Sequence, residues 1–271
     1  MRIRPPFKIH GGKYYLAPWI ISNFPPNYTE MNYLEPYCGA ASVLLNKKPP
    51  TSPEFEETIN DLDEGVTLIF KMLRDNSQEF IDYLKKIKYC KEVFRGALMA
   101  KDERQITYFH QAIDSFILRR MSRDGLMKAF AWSERLRGGQ PGDLNAWETA
   151  LNDVLPLVSA RIKSVYILNR PALEVIDKWN HPNTLIYCDP TYLHETRVSP
   201  DSYELEMSES DHIDLARALN RFQGKAMISG YYSTLYYRLY KGWKCVRKKI
   251  PNHSSQAKVK KIKTECIWKN F

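Results

Sequence analysis

The stretch Leu185-Ile186-Tyr187-Cys188-Asp189-Pro190-Thr191-Tyr192 constrains the fold most. Its first four residues are a short apolar run, the pattern of a buried strand. The run stops abruptly in an acid, a proline and an aromatic. In an open α/β sheet, ligands bind beyond the carboxyl ends of the strands. The stretch therefore aims Asp189, the Pro190 carbonyl and the Tyr192 ring into a cleft. That set can hydrogen-bond an amino group and stack on a flat ring.

The rest of the chain supplies the alternation such a sheet needs. Asn32 to Leu45 reads as a strand, a tight turn of small residues (Cys38-Gly39-Ala40-Ala41-Ser42), then a helix opening. This is the first βα turn of a Rossmann-like sheet, where small residues let the backbone approach a nucleoside. It lacks the G-x-G-x-x-G spacing of a dinucleotide site. Asp61 follows Gly39 by 22 residues, the position from which an acid commonly holds ribose hydroxyls. Asp61 or Asp63 also serves as a cap for a helix over 65–74. Earlier, Gly11-Gly12-Lys13 precedes a short helix whose regular part starts near Ala17. A plain turn explains that glycine pair equally well.

The character changes from Asp75 to about Ala160. Phe80, Ile81, Leu84 and Ile87 keep helical spacing, and 107–121 reads as a helix. A further helix spans 145–161, bent at Pro156. No βαβ rhythm occurs, so the segment is expected to be a mostly helical insertion. At its centre Arg119, Arg120, Arg123, Lys128, Arg135 and Arg137 alternate with Phe130, Trp132 and a flexible Gly138–Gly142 loop that includes Gln140. Such a mixture suits a nucleic-acid surface, with Arg on phosphate or guanine and Gln140 on a base edge. A solvated charged face is the competing explanation.

Strands are expected at 164–168, 185–188 and 225–229, with a helix over 208–222 opened by Ser208 and Asp211. A long loop, 193–206, is expected to act as a flexible lid. A hairpin of 245–250 and 264–268 closes the chain. Around it run Lys244, Arg247, Lys248, Lys249, Lys258, Lys260, Lys261 and Lys263, with no acid from Lys244 to Lys263. That density favours phosphate contact. The whole chain carries a net charge of +9 and favours an anionic partner. Five scattered cysteines form no C-x-x-C pair, which points to neither a zinc site nor a disulfide framework. No apolar run approaches the roughly 18–20 residues of a membrane span. A soluble, cytoplasmic protein with no membrane association and no metal is expected.

These motifs together resemble the Dam-like, α-ordered DNA adenine-N6 methyltransferases. The resemblance rests on Gly11-Gly12-Lys13, Glu35-Pro36-Tyr37-Cys38-Gly39, Asp61, Asp189-Pro190-Thr191-Tyr192 and Thr264–Asn270. It implies a Rossmann-like class I methyltransferase sheet with an inserted, mostly helical target-recognition domain. The catalytic domain would be 1–74 and 160–271, and the insertion 75–159. It implies S-adenosylmethionine as cofactor, held by Ile9, Lys13, Glu35, Tyr37, Cys38, Gly39, Asp61 and Asp189. It implies double-stranded DNA as partner, with Asp189, Pro190 and Tyr192 catalytic and the basic residues above on the DNA. Two positions depart from the family pattern. Thr191 replaces the second proline of D-P-P-Y, which leaves the backbone less constrained, and Ile9 stands where an aromatic often precedes G-G-K. They are what supports an alternative, a catalytically silent DNA-binding protein. The recognition sequence and any restriction partner are not legible.

Overall fold

The computed structural model describes residues 2–100, 107–196, 206–251 and 262–271. In chain order the elements are α1 (Ala17–Ile21), β1 (Asn32–Glu35), β2 (Glu57–Asn60), α2 (Glu64–Asp75), α3 (Ser77–Lys85), α4 (Lys91–Ala100) and α5 (Tyr108–Arg120). Then come β3 (Leu136–Arg137), β4 (Gln140–Pro141), α6 (Gly142–Thr149), α7 (Leu155–Arg161), β5 (Tyr166–Leu168) and α8 (Ala172–Lys178). The chain ends with β6 (Thr184–Cys188), α9 (Glu209–Asn220), β7 (Lys225–Tyr231), α10 (Thr234–Leu239), β8 (Lys244–Pro251) and β9 (Ile262–Lys269). They fall into two compact units. One holds Met1–Ser22, Gly39–Lys48 and Asp63–Asn169; the other holds Asn23–Cys38, Pro49–Leu62 and Arg170–Phe271.

The second unit is built on a mostly parallel sheet with strands in the order β2-β1-β6-β7-β9-β8. β1 is parallel to both β2 and β6, and β6 is parallel to β7. From β1 the chain therefore moves outward to one side and later returns to the other. The boundary between β1 and β6 is a topological switch point, where an open α/β sheet forms its ligand crevice. Every residue of β6 is buried, as a parallel strand covered on both faces requires. The final hairpin forms as expected but is longer: β9 runs antiparallel to β7 and to β8. α9 starts at the expected cap, with Ser208 and Asp211 exchanging side-chain and backbone hydrogen bonds.

The first unit is helical. α2 packs on α3, α5 and α7, and α4 on α5. Its core carries a chain of rings, Phe80 against Phe116 at 6.0 Å and Phe116 against Trp147 at 5.5 Å.

Two expectations need correction. No regular helix follows the glycine turn. Residues 40–47 form consecutive turns, with isolated Leu45-to-Ala41 and Lys47-to-Val43 backbone bonds of 2.9 Å each. Ala41 has φ 51°, which a right-handed helix cannot include, and Pro49-Pro50 blocks extension. The helix expected over 145–161 forms as one continuous run of α6, a π-type turn and α7. Pro156 has no N–H, and the chain takes one wider π-type turn at Ala150–Val154 before α7 resumes. The Gly138–Gly142 loop is a tight hairpin between β3 and β4. Gly138 and Gly139 hold φ of 62° and 83°, the pair of positive angles that a primed two-residue turn needs.

Candidate active site

The second unit brings four chain segments to the carboxyl edge of its parallel strands. β1 leads into Pro36-Tyr37-Cys38, β2 into Asp61, β6 into Asp189–Tyr192, and β7 ends at Tyr231. Asn60 fixes the first two. It is fully buried, its Nδ2 donates to the carbonyls of Pro36 and Arg170 at 3.0 Å each, and its Oδ1 accepts from the Arg170 N–H at 3.0 Å. The Cys38 N–H donates to the Asn60 carbonyl at 3.0 Å. The turn is thus locked to the end of β2, one residue before Asp61. Sequence reasoning missed Asn60, because a polar residue at a strand end carries no signal of its own. Asn60→Ala is expected to cost about 2–3 kcal/mol in chemical denaturation, since the Pro36 and Arg170 backbone groups lose their partner in the interior. Cofactor affinity measured by calorimetry should fall with it.

The two candidate acids of this region separate in role. Asp63 caps α2, accepting the Val66 N–H at 3.1 Å. Asp61 lies two residues earlier, directly after β2, and does not cap the helix. Glu35 is buried, and its carboxylate accepts the Tyr33 hydroxyl at 2.5 Å.

Asp189 is half-buried at the end of β6. Burial pushes up the pKa of Tyr187, Cys188, Tyr192 and Tyr236, and the Asp189 charge adds to the rise in each. At Tyr192 the Glu265 carboxylate contributes ahead of Asp189. Tyr37 is raised likewise, first by burial, then by Cys188, Tyr236, Asp211 and Asp61. These phenols and the thiol therefore stay protonated at neutral pH. In this partly water-excluded setting a hydrogen bond gains strength.

Tyr192 is held at both ends. Its ring meets Tyr231 edge-on, with centroids 4.8 Å apart and planes at 79°. Its hydroxyl donates to the buried carboxylate of Glu265 on β9. Glu265 belongs to the closing segment that the resemblance included, but its link to Tyr192 needed the sheet pairing to become visible. Tyr187 is similarly fixed, its hydroxyl 2.7 Å from Ser229 Oγ.

In the first unit, Ile9 closes over Gly39. A Cβ on Gly39 would lie 3.3 Å from Ile9 Cδ1, and Gly39 has φ 48°, so both space and backbone favour glycine there. The Lys13 ammonium donates to the Gly11 carbonyl at 2.9 Å.

The expected DNA-facing residues divide. Arg119 is a correction. It is 3% exposed, ion-pairs with Asp63 at 2.5 Å and lies 5.5 Å from the centre of the Phe7 ring. A guanidinium so enclosed cannot reach a phosphate. Arg120 is also engaged internally: it donates to the Ala146 carbonyl, and burial lowers its pKa to about 10. Gln140 is half-buried and donates to the Glu148 carboxylate. Arg123, Lys128, Arg135 and Arg137 are exposed, as are Lys248 and Lys249 on β8. Lys258, Lys260 and Lys261, and residues 197–205 of the expected lid, lie outside the described residues. Among the described residues no cluster of metal-ligating side chains occurs, and no helix is long and apolar enough to cross a membrane. None of the five cysteines forms a disulfide.

A family model for the D12 class of N6 adenine-specific DNA methyltransferases matches residues 10–258, nearly the whole chain. The chain belongs to that family. It is an enzyme of adenine-N6 methylation, and the family implies a DNA substrate and S-adenosylmethionine as methyl donor. No curated protein matches the chain. Among solved structures, the rRNA methyltransferase aviRa from Streptomyces viridochromogenes is similar at 10% identity with a TM-score of 0.41, over 98% of this chain and 86% of that one. The strand order with its switch point and closing antiparallel hairpin is the Rossmann-like α/β class that the sequence led us to expect.

Proposed function

We propose that the chain methylates N6 of an adenine flipped out of duplex DNA at a specific sequence, with Asp189, Pro190 and Tyr192 as the catalytic set. The observation that carries the reading is the position of Asp189–Tyr192 at the switch-point edge of the parallel sheet, beside the Asn60-locked turn and Asp61.

The side chains present fit S-adenosylmethionine. A carboxylate directly after β2, at Asp61, suits a ribose diol, and the helix is capped by Asp63 instead. Tyr37, Cys38 and Glu35 stand at the end of the neighbouring strand. Ile9, Lys13 and Gly39 are proposed as cofactor residues on the strength of the family pattern alone. When bound, the cofactor supplies an electrophilic methyl group on a sulfonium.

The chain's own residues have to make adenine nucleophilic. The N6 lone pair is delocalised into the ring. One Asp189 carboxylate oxygen and the Pro190 carbonyl each accept one N6 proton's hydrogen bond. Holding both protons favours a more tetrahedral nitrogen with an available lone pair, aimed for in-line attack, and Asp189 or water would take the proton that N6 must lose once it has gained the methyl carbon. Positioning and preorganised acceptors supply the catalysis. Tyr192, kept rigid by Glu265 and Tyr231, offers an aromatic surface for the base. Extrusion from the duplex costs a few kcal/mol, which stacking in the site helps to offset.

Residues 75–159 are proposed as the target-recognition segment, with Arg123, Lys128, Arg135 and Arg137 toward DNA. Lys248 and Lys249 on β8 are proposed as phosphate contacts. Replacing both lysines with alanine should weaken binding evenly across sequences and reduce the slope of log affinity against log salt by about 2. An unchanged slope in a fluorescence titration across salt would remove them from the interface.

The reading is tested with purified protein, labelled S-adenosylmethionine and DNA of mixed sequence, with cofactor binding followed by calorimetry. Label transferred to DNA supports it. Cofactor binding without transfer would leave a catalytically silent DNA-binding protein instead.

A further inference from the structure

Thr191 stands where the family pattern has proline, and a proline there would stiffen the catalytic turn by fixing φ. Thr191 Oγ1 accepts the backbone N–H of Met207 at 3.1 Å. Met207 immediately precedes Ser208, the capping residue of α9, whose N–H and hydroxyl both bond to Asp211. α9 is in turn anchored: His212, Leu215, Ala216 and Leu219 are buried, and His212 Nδ1 lies 3.0 Å from the Tyr236 hydroxyl. The bond therefore ties the residue between Pro190 and Tyr192 to a fixed helix end. A proline has no hydroxyl and cannot make this link.

We infer that the Thr191 hydroxyl is a positioning group for methyl transfer, holding the Pro190 carbonyl and the Tyr192 ring in register through Met207. The inference rests on the methyltransferase reading. Thr191 itself touches neither base nor cofactor in this account; it acts through its two neighbours. Its loss should slow the transfer step and leave ground-state binding unchanged.

The test compares the full chain with Thr191→Val and Thr191→Ser for kcat and KM in methyl transfer to DNA, with cofactor stoichiometry from calorimetry. Valine keeps the shape and removes the acceptor. It should lower kcat by about three- to tenfold, the effect of one net hydrogen bond. The KM for DNA and the cofactor stoichiometry should not move, which separates mispositioning from loss of folded protein. Serine keeps the acceptor and should stay within about twofold of the parent chain. A Thr191→Val variant with the parent's kcat overturns the inference. So does a Thr191→Ser variant as slow as valine, because shape rather than the hydroxyl would then be the cause. A parent chain that transfers no methyl group overturns the functional reading and this inference together, whereas an active parent with an equally active valine variant overturns this inference alone.

Discussion

Asp189→Ala is expected to lower methyl transfer by at least about a hundred- to a thousandfold, the loss seen when one preorganised electrostatic contact is removed from an active site. DNA binding should remain largely intact. The basis is geometric. Asp189 is the first residue after the fully buried β6, at the switch point of the sheet. Its charge adds to the burial that keeps Tyr187, Cys188 and Tyr192 protonated. Asp189→Asn is the graded variant. It preserves volume and one acceptor oxygen but removes the charge, so the hydrogen bond to the adenine N–H loses its charge-assisted strength. Asparagine should therefore be slower than the parent and faster than alanine. Filter binding or fluorescence anisotropy on DNA checks that the protein still engages its substrate. An Asp189→Ala enzyme with more than about a tenth of the parent rate would assign this side chain a structural role, since that corresponds to less than about 1.4 kcal/mol of transition-state stabilisation.

Arg119→Ala is expected to unfold the protein more readily by about 2–4 kcal/mol. Removing one partner of a buried pair costs roughly 3–5 kcal/mol, because the other charge loses its compensation. The lower figure reflects Asp63, whose side chain is still 26% exposed and partly solvated. Asp63 also accepts the Val66 N–H at the start of α2, so the α2 terminus should loosen. Arg119 further lies over the Phe7 ring, and that contact is lost as well. Thermal and chemical denaturation measure the effect. The contrasting variant is Arg123→Ala, which removes an exposed charge. It should leave stability within about 0.5 kcal/mol of the parent and reduce DNA affinity. If Arg119→Ala leaves the midpoint unchanged but weakens DNA binding, the buried-pair account is wrong and the arginine is a DNA contact.

This pair of arginines shows what the sequence could and could not reveal. Charge type and density mark a basic region but do not separate buried from exposed cations. The helical register contains the distinction. Ala112, Phe116 and Arg119 fall at i, i+4 and i+7 on one stripe of α5, and all three are buried. Arg119 occupies a core position that its charge disguises. Gln140 is similar: the glycines beside it were legible as a turn, but its bond to Glu148 depends on how β4 meets α6.

Elements specified by local chemistry were legible. The apolar run of β6, the capping box of α9 and the closing hairpin all follow from short patterns. The helix expected after Gly39 failed because Ala41 takes a left-handed φ, a choice made by packing and not by propensity. Asp61 and Asp63 were interchangeable as cap in the sequence, and only the Val66 bond separates them. Asn60 and Glu265, which fix the glycine turn and the Tyr192 ring, act through partners far away in sequence. Thr191 reads as a lost restraint until its hydroxyl is seen to meet Met207.

The central claim is that this site methylates adenine at N6. Unmethylated DNA incubated with the purified protein and S-adenosylmethionine, then digested to nucleosides and analysed by mass spectrometry, tests it most directly. The account predicts N6-methyldeoxyadenosine, reduced at least about a hundredfold when Asp189→Ala protein is used. N4-methyldeoxycytidine as the product, or adenine methylation at the parent level with the Asp189→Ala protein, would contradict it.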